Sequence, residues 1–230
     1  YSILYLLPIV FLIFLQPDLG NAFLYVGVAV FSLIFFGFPL RFFIAGFILL
    51  FATIPIFWRF LHDYQRERIF TFINPSSDPL GTSYNAIQAI ITVGSGMFLG
   101  RGLGQGTQSG LSFLPERHTD FIFATISEDL GFVGAMAIFV AFAFILRRLY
   151  MIYVNCDDKF CKTFSGIAFF SFLFQFFVNI GMNIGILPIA GVTLPFVSYG
   201  GSSLLANFIF LGLCSAVAEN IKENRVLEIG

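Results

Sequence analysis

The densest gathering of ionisable side chains in this 230-residue sequence is Leu114-Pro115-Glu116-Arg117-His118-Thr119-Asp120, which runs straight into an apolar stretch beginning at Phe121. In an extended backbone Glu116, His118 and Asp120 fall on one face. A carboxylate at the head of a helix has two uses. It can accept hydrogen bonds from first-turn amides and favour the positive end of the helix dipole, worth about 1 kcal/mol. It can also take a proton from a hydroxyl as a general base, a role that contributes roughly 10² to 10⁴ in rate when the two oxygens approach within about 2.6–3.2 Å. The uses are compatible, and the spacing leaves both open.

Other polar groups stand inside apolar surroundings. Glu128 and Asp129 follow in the same stretch, about 12 Å below Asp120 at roughly 1.5 Å of rise per residue. Acids at such depth cost about 2.5–3.5 kcal/mol unless they face a polar interior, so they either carry function or fix neighbouring helices. Gly131 and Gly134, just beyond, permit close helix packing. Gln175, Asn179 and Asn183 recur every fourth residue and form one polar stripe, suited to interhelical hydrogen bonds or to lining a hydrated cavity. Ser198 precedes Gly200-Gly201-Ser202-Ser203, where a helix opens whose amides can meet an anionic head group or be capped by serine. Asp18, after Pro17, stands at a helix start in the same way. The alternating Gly100, Gly102, Gly104 and Gly106 match neither phosphate-binding glycine pattern, so they point to tight turns or close backbone approach rather than a nucleotide site.

The elements that hold these residues are membrane helices. The chain is 58% hydrophobic and 11% charged, with 34 Phe and a mean hydropathy of +0.90, which is the composition of a protein dissolved in lipid. About 20 apolar residues cross a bilayer core, and stretches of that kind lie at about 1–15, 19–38, 42–61, 121–147, 163–188 and 203–219. The expected fold is all-α: a polytopic transmembrane helix bundle with six spans, one domain over 1–230, and one large loop at 62–120. No alternating strand pattern supports a barrel. The loop is too apolar in patches for disorder, and a short amphipathic or re-entrant helix is expected near 83–94. Tyr1 opens inside an apolar run, which suggests the C-terminal part of a longer protein.

Basic residues set the expected orientation. Arg41, then Arg147, Arg148, Lys159 and Lys162, then Lys222 and Arg225 share one side, whereas 16–18 and 189–202 carry neither Lys nor Arg. The basic side is therefore cytoplasmic and loop 62–120 faces outward, its own arginines notwithstanding, because long loops translocate largely regardless of charge. A net charge of −1 gives no case for nucleic acid. Cys156, Cys161 and Cys214 lack paired spacing and neighbouring histidines, so neither a disulfide framework nor a zinc site is expected.

Five segments together resemble one family: Asp63-Tyr64-Gln65-Arg66-Glu67-Arg68-Ile69; Phe72-Ile73-Asn74-Pro75 with Asp78-Pro79-Leu80-Gly81; Gly106-Thr107-Gln108; Leu114 to Ala124; and Leu194 to Ser203. Their order and spacing are similar to the SEDS family (shape, elongation, division and sporulation), and the first and third resemble its cell-elongation branch rather than its division branch. Met97 and Phe98 depart from the family pattern, which usually has a further Gly and an aliphatic residue there. The resemblance implies ten membrane helices, of which the fifth to the tenth lie here, and a bacterial inner-membrane protein whose active face is extracytoplasmic.

The implied activity is peptidoglycan glycosyl transfer, in which lipid II is polymerised onto a polyprenyl-pyrophosphate-linked glycan strand with inversion. The family's essential acid falls on Asp120, the implied general base. Asp18 matches an acid of the outer-facing cavity. Arg101 and Arg117 are candidates for charge stabilisation at the leaving pyrophosphate, with a divalent cation as an alternative. Glu116, His118, Glu128, Asn179, Asn183, Ser198 and Ser202 complete the candidate substrate contacts. The implied partners are lipid II, bilayer lipid and a class B penicillin-binding protein transpeptidase. A lipid II flippase, with Glu128, Asp129 and the Asn stripe along its path, a scaffold without chemistry, and the division paralogue are the competing readings.

Overall fold

The computed structural model describes residues 19–35, 37–60, 83–110 and 114–229, together with residues 66, 70, 72 and 74. The expected first span, Asp18 and most of 61–82 lie outside the described residues. Seven helices follow in order: α1 (Leu19–Phe35), α2 (Leu40–Phe60), α3 (Tyr84–Ser95), α4 (Thr107–Gly110), α5 (Ile122–Asn155), α6 (Lys159–Asn183) and α7 (Gly201–Ile229). Among the described residues there is no strand. Helices α5 and α6 and the Gly201–Glu219 part of α7 are long and apolar enough to cross a membrane, and Leu24–Ile34 is a shorter apolar helix. The all-α polytopic membrane architecture read from composition is the one observed. The short helix expected near 83–94 is α3.

Helix ends differ from the expected span ends for local reasons. Arg147 and Arg148 mark where charge returns, yet a charge does not stop a helix, and α5 continues to Asn155, whose side-chain amide donates to the Met151 carbonyl at 2.7 Å. Asp158 then caps α6 by accepting from the N–H of Cys161 at 3.0 Å. At its far end α6 stops at Asn183, short of residue 188. There the N–H of Ile186 donates to the Gly181 carbonyl at 2.8 Å and that of Gly185, in left-handed conformation, to Met182 at 3.4 Å. This pair of bonds closes a helix end around a glycine.

The chain divides into two compact units. The first comprises 1–37, 136–177 and 191–230, and its buried centre is Leu149, Ala168, Phe172 and Cys214. Phenylalanine fills the remaining space: Phe172 packs on Phe196 with centroids 5.2 Å apart, and Phe164 meets Phe210 edge-on at 5.4 Å. Cys156 and Cys161 are joined as a disulfide across the α5–α6 turn, with Cα atoms 6.0 Å apart. That corrects the expectation of unpaired cysteines, since a turn between antiparallel helix ends brings together residues whose spacing carries no signal. Cys214 is free and buried.

The second unit comprises 38–135 and 178–190. Ala89 of α3 packs with Leu114, Phe121 and Ala124, and Val93 and Ile189 close over them. This cluster fixes α3 against the head of α5.

Candidate functional site

The segment leading into α5 is a turn, not a strand. Glu116 takes a left-handed conformation (φ 51), and its carbonyl accepts from the N–H groups of Thr119 at 3.1 Å and Phe121 at 3.3 Å. The Thr119 hydroxyl donates to the Glu116 carboxylate at 2.9 Å, and that of Thr125 to the Arg117 carbonyl at 3.1 Å. The single extended face expected for Glu116, His118 and Asp120 is therefore not formed, because these local bonds fold the backbone back on itself. Arg117 Nε donates to His118 Nε2 at 3.1 Å, which makes that ring nitrogen an acceptor.

Asp120 is half-buried at the head of α5, and its position is held through its backbone. The side-chain amides of Asn179 and Asn183 donate to its carbonyl at 3.0 and 3.1 Å. Asn183 also accepts from the Ala124 N–H at 3.2 Å, so a side chain on α6 takes a first-turn amide of α5. Both asparagines are fully buried. These two residues of the stripe clamp the start of α5.

Glu128 is likewise fully buried and hydrogen-bonded within the chain. It accepts from the N–H groups of Gln108 at 3.0 Å and Ser109 at 2.8 Å and from the Ser95 hydroxyl at 3.2 Å. At Gly106 any Cβ would collide with this carboxylate, so the glycine serves close approach. Asp129 accepts from the Gly104 N–H at 3.2 Å, and its other carboxylate oxygen is buried with no partner. The two acids tie the 104–109 segment to α5. Glu128 and the two asparagines are thus each engaged in hydrogen bonds within the chain.

Between these anchors α5 is broken. Gly131 holds φ 67 and ψ −159, a conformation open essentially to glycine. The backbone groups freed by the break are taken up by the loop after α3: the Glu128 and Asp129 carbonyls accept from Arg101 and Gly102 at 2.9 and 3.0 Å, and the Phe132 and Val133 amides donate to Met97 and Phe98 at 2.9 and 3.3 Å. The Arg101 guanidinium donates to the Ser95 carbonyl at 3.2 Å and the Thr107 hydroxyl at 3.1 Å, and the residue is exposed. Ser95 and Thr107 were not legible as site residues, since a hydroxyl at a turn carries no mark of its partner. Among the described residues no three His, Cys, Asp or Glu side chains converge on a possible cation.

A carboxylate at the head of a membrane helix, on a residue whose backbone carbonyl two buried asparagines hold, is suited to proton abstraction. Residues 1–223 match the family model for cell cycle proteins of the FtsW, RodA and SpoVE type. The chain belongs to this family.

FtsW/RodA/SpoVE relatives include the peptidoglycan glycosyltransferase MrdB of Escherichia coli K12, 43% identical over 203 residues that cover 88% of this chain and 55% of that protein. The peptidoglycan glycosyltransferase RodA of Treponema pallidum is 41% identical over 159 residues, 69% of this chain and 37% of that one. The chain thus spans about half the length, or less, of these relatives. Among solved structures it is similar to a chain from a study of how a peptidoglycan synthase complex coordinates polymerization and crosslinking, with a TM-score of 0.78 and 32% identity over 96% of this chain and 61% of that one. As an FtsW/RodA/SpoVE member it is a multi-pass membrane protein. In the other unit, Ser198 is buried and its hydroxyl accepts from the Leu194 N–H at 2.8 Å, closing a turn, whereas Ser202 is exposed in the first turn of α7.

Proposed function

We propose that this chain carries the catalytic acid of a peptidoglycan glycosyltransferase of the elongation type, which polymerises lipid II at the outer surface of the bacterial cytoplasmic membrane. The observation that carries the reading is the fixed position of Asp120, clamped by Asn179 and Asn183 at the head of a membrane-spanning helix. The activity named for the E. coli and T. pallidum relatives supports it.

In the proposed reaction the 4-hydroxyl of a lipid-linked GlcNAc attacks the anomeric carbon of a strand attached to polyprenyl pyrophosphate. Asp120 takes the hydroxyl proton as the new C–O bond forms. The bond from the anomeric carbon to the phosphate oxygen breaks with inversion, and the pyrophosphate leaves with that electron pair. Arg101, exposed and bonded through its amide to the Glu128 carbonyl, and Arg117, three residues before Asp120, are proposed to receive the growing negative charge. The polyprenyl chains remain in the bilayer throughout. Similarity to a chain of a peptidoglycan synthase complex supports a class B penicillin-binding protein as the partner.

The test is polymerisation of purified lipid II by the protein in proteoliposomes. Asp120→Asn removes the base while leaving the backbone carbonyl that the asparagines hold. Loss of glycan strands with unchanged membrane insertion supports the reading. Wild-type polymerisation by Asp120→Asn, or transbilayer movement of lipid II with no polymer from the native protein, overturns it.

A further inference from the structure

The loop between α3 and α4 has an apolar tip that the proposed reaction does not use. Met97 is 83% exposed, Phe98 65%, Leu99 78% and Leu103 76%. Met97 holds φ 48, a left-handed conformation that L side chains rarely adopt.

The backbone of that loop is tied to α5, which sets its depth along the helix. Met97 and Phe98 give their carbonyls to Phe132 and Val133, and Arg101 and Gly102 give their amides to Glu128 and Asp129.

The position along α5 agrees. Leu130 to Leu146 contains no charged residue and is bounded by Asp129 and Arg147, so the apolar zone of the helix begins beside Gly131. Phe98 stacks on Phe132 with centroids 5.7 Å apart, and Phe132 and Val133 are themselves exposed, so tip and helix present one continuous apolar surface. Arg101, paired through its backbone with Glu128, falls on the polar side of the same boundary.

We propose that residues 97–99 form a lipid-inserted tip, seated among the acyl chains of the leaflet at the Asp129 end of the α5 apolar run. The break at Gly131 frees the amides that hold the Met97 and Phe98 carbonyls at that depth, and the exposed Met97, Phe98 and Leu99 side chains are the lipid contacts. The inference depends on the membrane fold and not on the reaction proposed above.

Fluorescence quenching tests it. In a Trp58→Phe background, which leaves no native tryptophan, Phe98→Trp or Leu99→Trp is reconstituted into phosphatidylcholine–phosphatidylglycerol vesicles containing lipids brominated at defined acyl depths. Gln105→Trp, at an exposed polar position, serves as the aqueous reference. The expected result is blue-shifted emission at 98 and 99, loss of most of the intensity to brominated acyl chains, and little effect of acrylamide, with the opposite pattern at 105. Quenching of both tip reporters by acrylamide alone places the tip in water and overturns the proposal. Shielding of both from either quencher means that protein covers the tip, and overturns it equally.

Discussion

Asn183 spans one turn of backbone at the head of α5: its amide nitrogen donates to the Asp120 carbonyl at 3.1 Å while its amide oxygen accepts from the Ala124 N–H at 3.2 Å. One buried side chain therefore fixes both the residue that bears the candidate base and the first turn behind it. Asn183→Ala leaves the buried Ala124 N–H without its acceptor, at a cost of about 1–3 kcal/mol, and leaves the Asp120 carbonyl to the Asn179 amide. A lower Tm is expected, together with a fall in the polymerisation rate at saturating lipid II that exceeds any change in KM, because the side chain positions the base without touching substrate. A variant with a lower Tm but native turnover would show the clamp to be structural only.

Asp120→Glu keeps the carboxylate and lengthens its stem by one methylene. The backbone clamp is unaffected, since both asparagines bind the carbonyl. A displacement of about 1 Å from the productive position costs on the order of 10²-fold. Strand synthesis on purified lipid II should fall by roughly that factor with an unchanged Tm, a smaller loss than removal of the base, which forfeits about 10² to 10⁴. Equal activity of the Glu and Asn variants would mean that the carboxylate does not take part in proton transfer.

Glu128 binds two backbone amides of α4, those of Gln108 and Ser109, so charge and acceptor number both matter there. In Glu128→Gln the new NH₂ group must face one of those N–H donors, which leaves a buried amide unsatisfied at about 1–3 kcal/mol. Gly106→Ala attacks the same contact from the other side by driving a methyl group into the carboxylate. Both variants should release residues 96–110 locally, seen as faster amide hydrogen exchange in that segment while the amides of α6 stay protected. Uniform exchange across the second unit would instead mark Glu128 as a determinant of the whole fold.

The helical architecture was legible because lipid leaves the backbone few choices: long uncharged runs between charged ends become helices, and α5, α6 and α7 do so. The polar residues were legible as exceptions within those runs, but not their partners. Asn179 and Asn183 share a face by simple periodicity, whereas their target, the Asp120 carbonyl, is a backbone atom with no sequence signature. Glu128 read as an intramembrane acid that either carries function or fixes neighbouring helices, and the amides it binds belong to α4, some twenty positions upstream. Glu116 and His118 alternated as if on a strand, yet a Thr119 hydroxyl bond and a left-handed Glu116 turned the segment. Gly131 read as a packing glycine; that it breaks the helix depends on the loop that completes its hydrogen bonds.

Gly131 offers the sharpest test of that last point. At φ 67 and ψ −159 an alanine is strained, on the order of 1–3 kcal/mol, and its methyl group would also meet the backbone of Phe98 and Gly100. Gly131→Ala can relieve the strain by letting α5 run through as a regular helix, but the Arg101, Gly102, Met97 and Phe98 backbone groups then lose their partners together. Gly134→Ala, three residues further along the same helix at a position without left-handed φ, provides the comparison, since its added methyl meets the side chain of Leu130 and leaves the loop backbone alone. The expected outcome is that hydrogen exchange at residues 97–102 accelerates in Gly131→Ala and not in Gly134→Ala. Native protection of the loop in Gly131→Ala would mean that its backbone is held by something other than the broken helix.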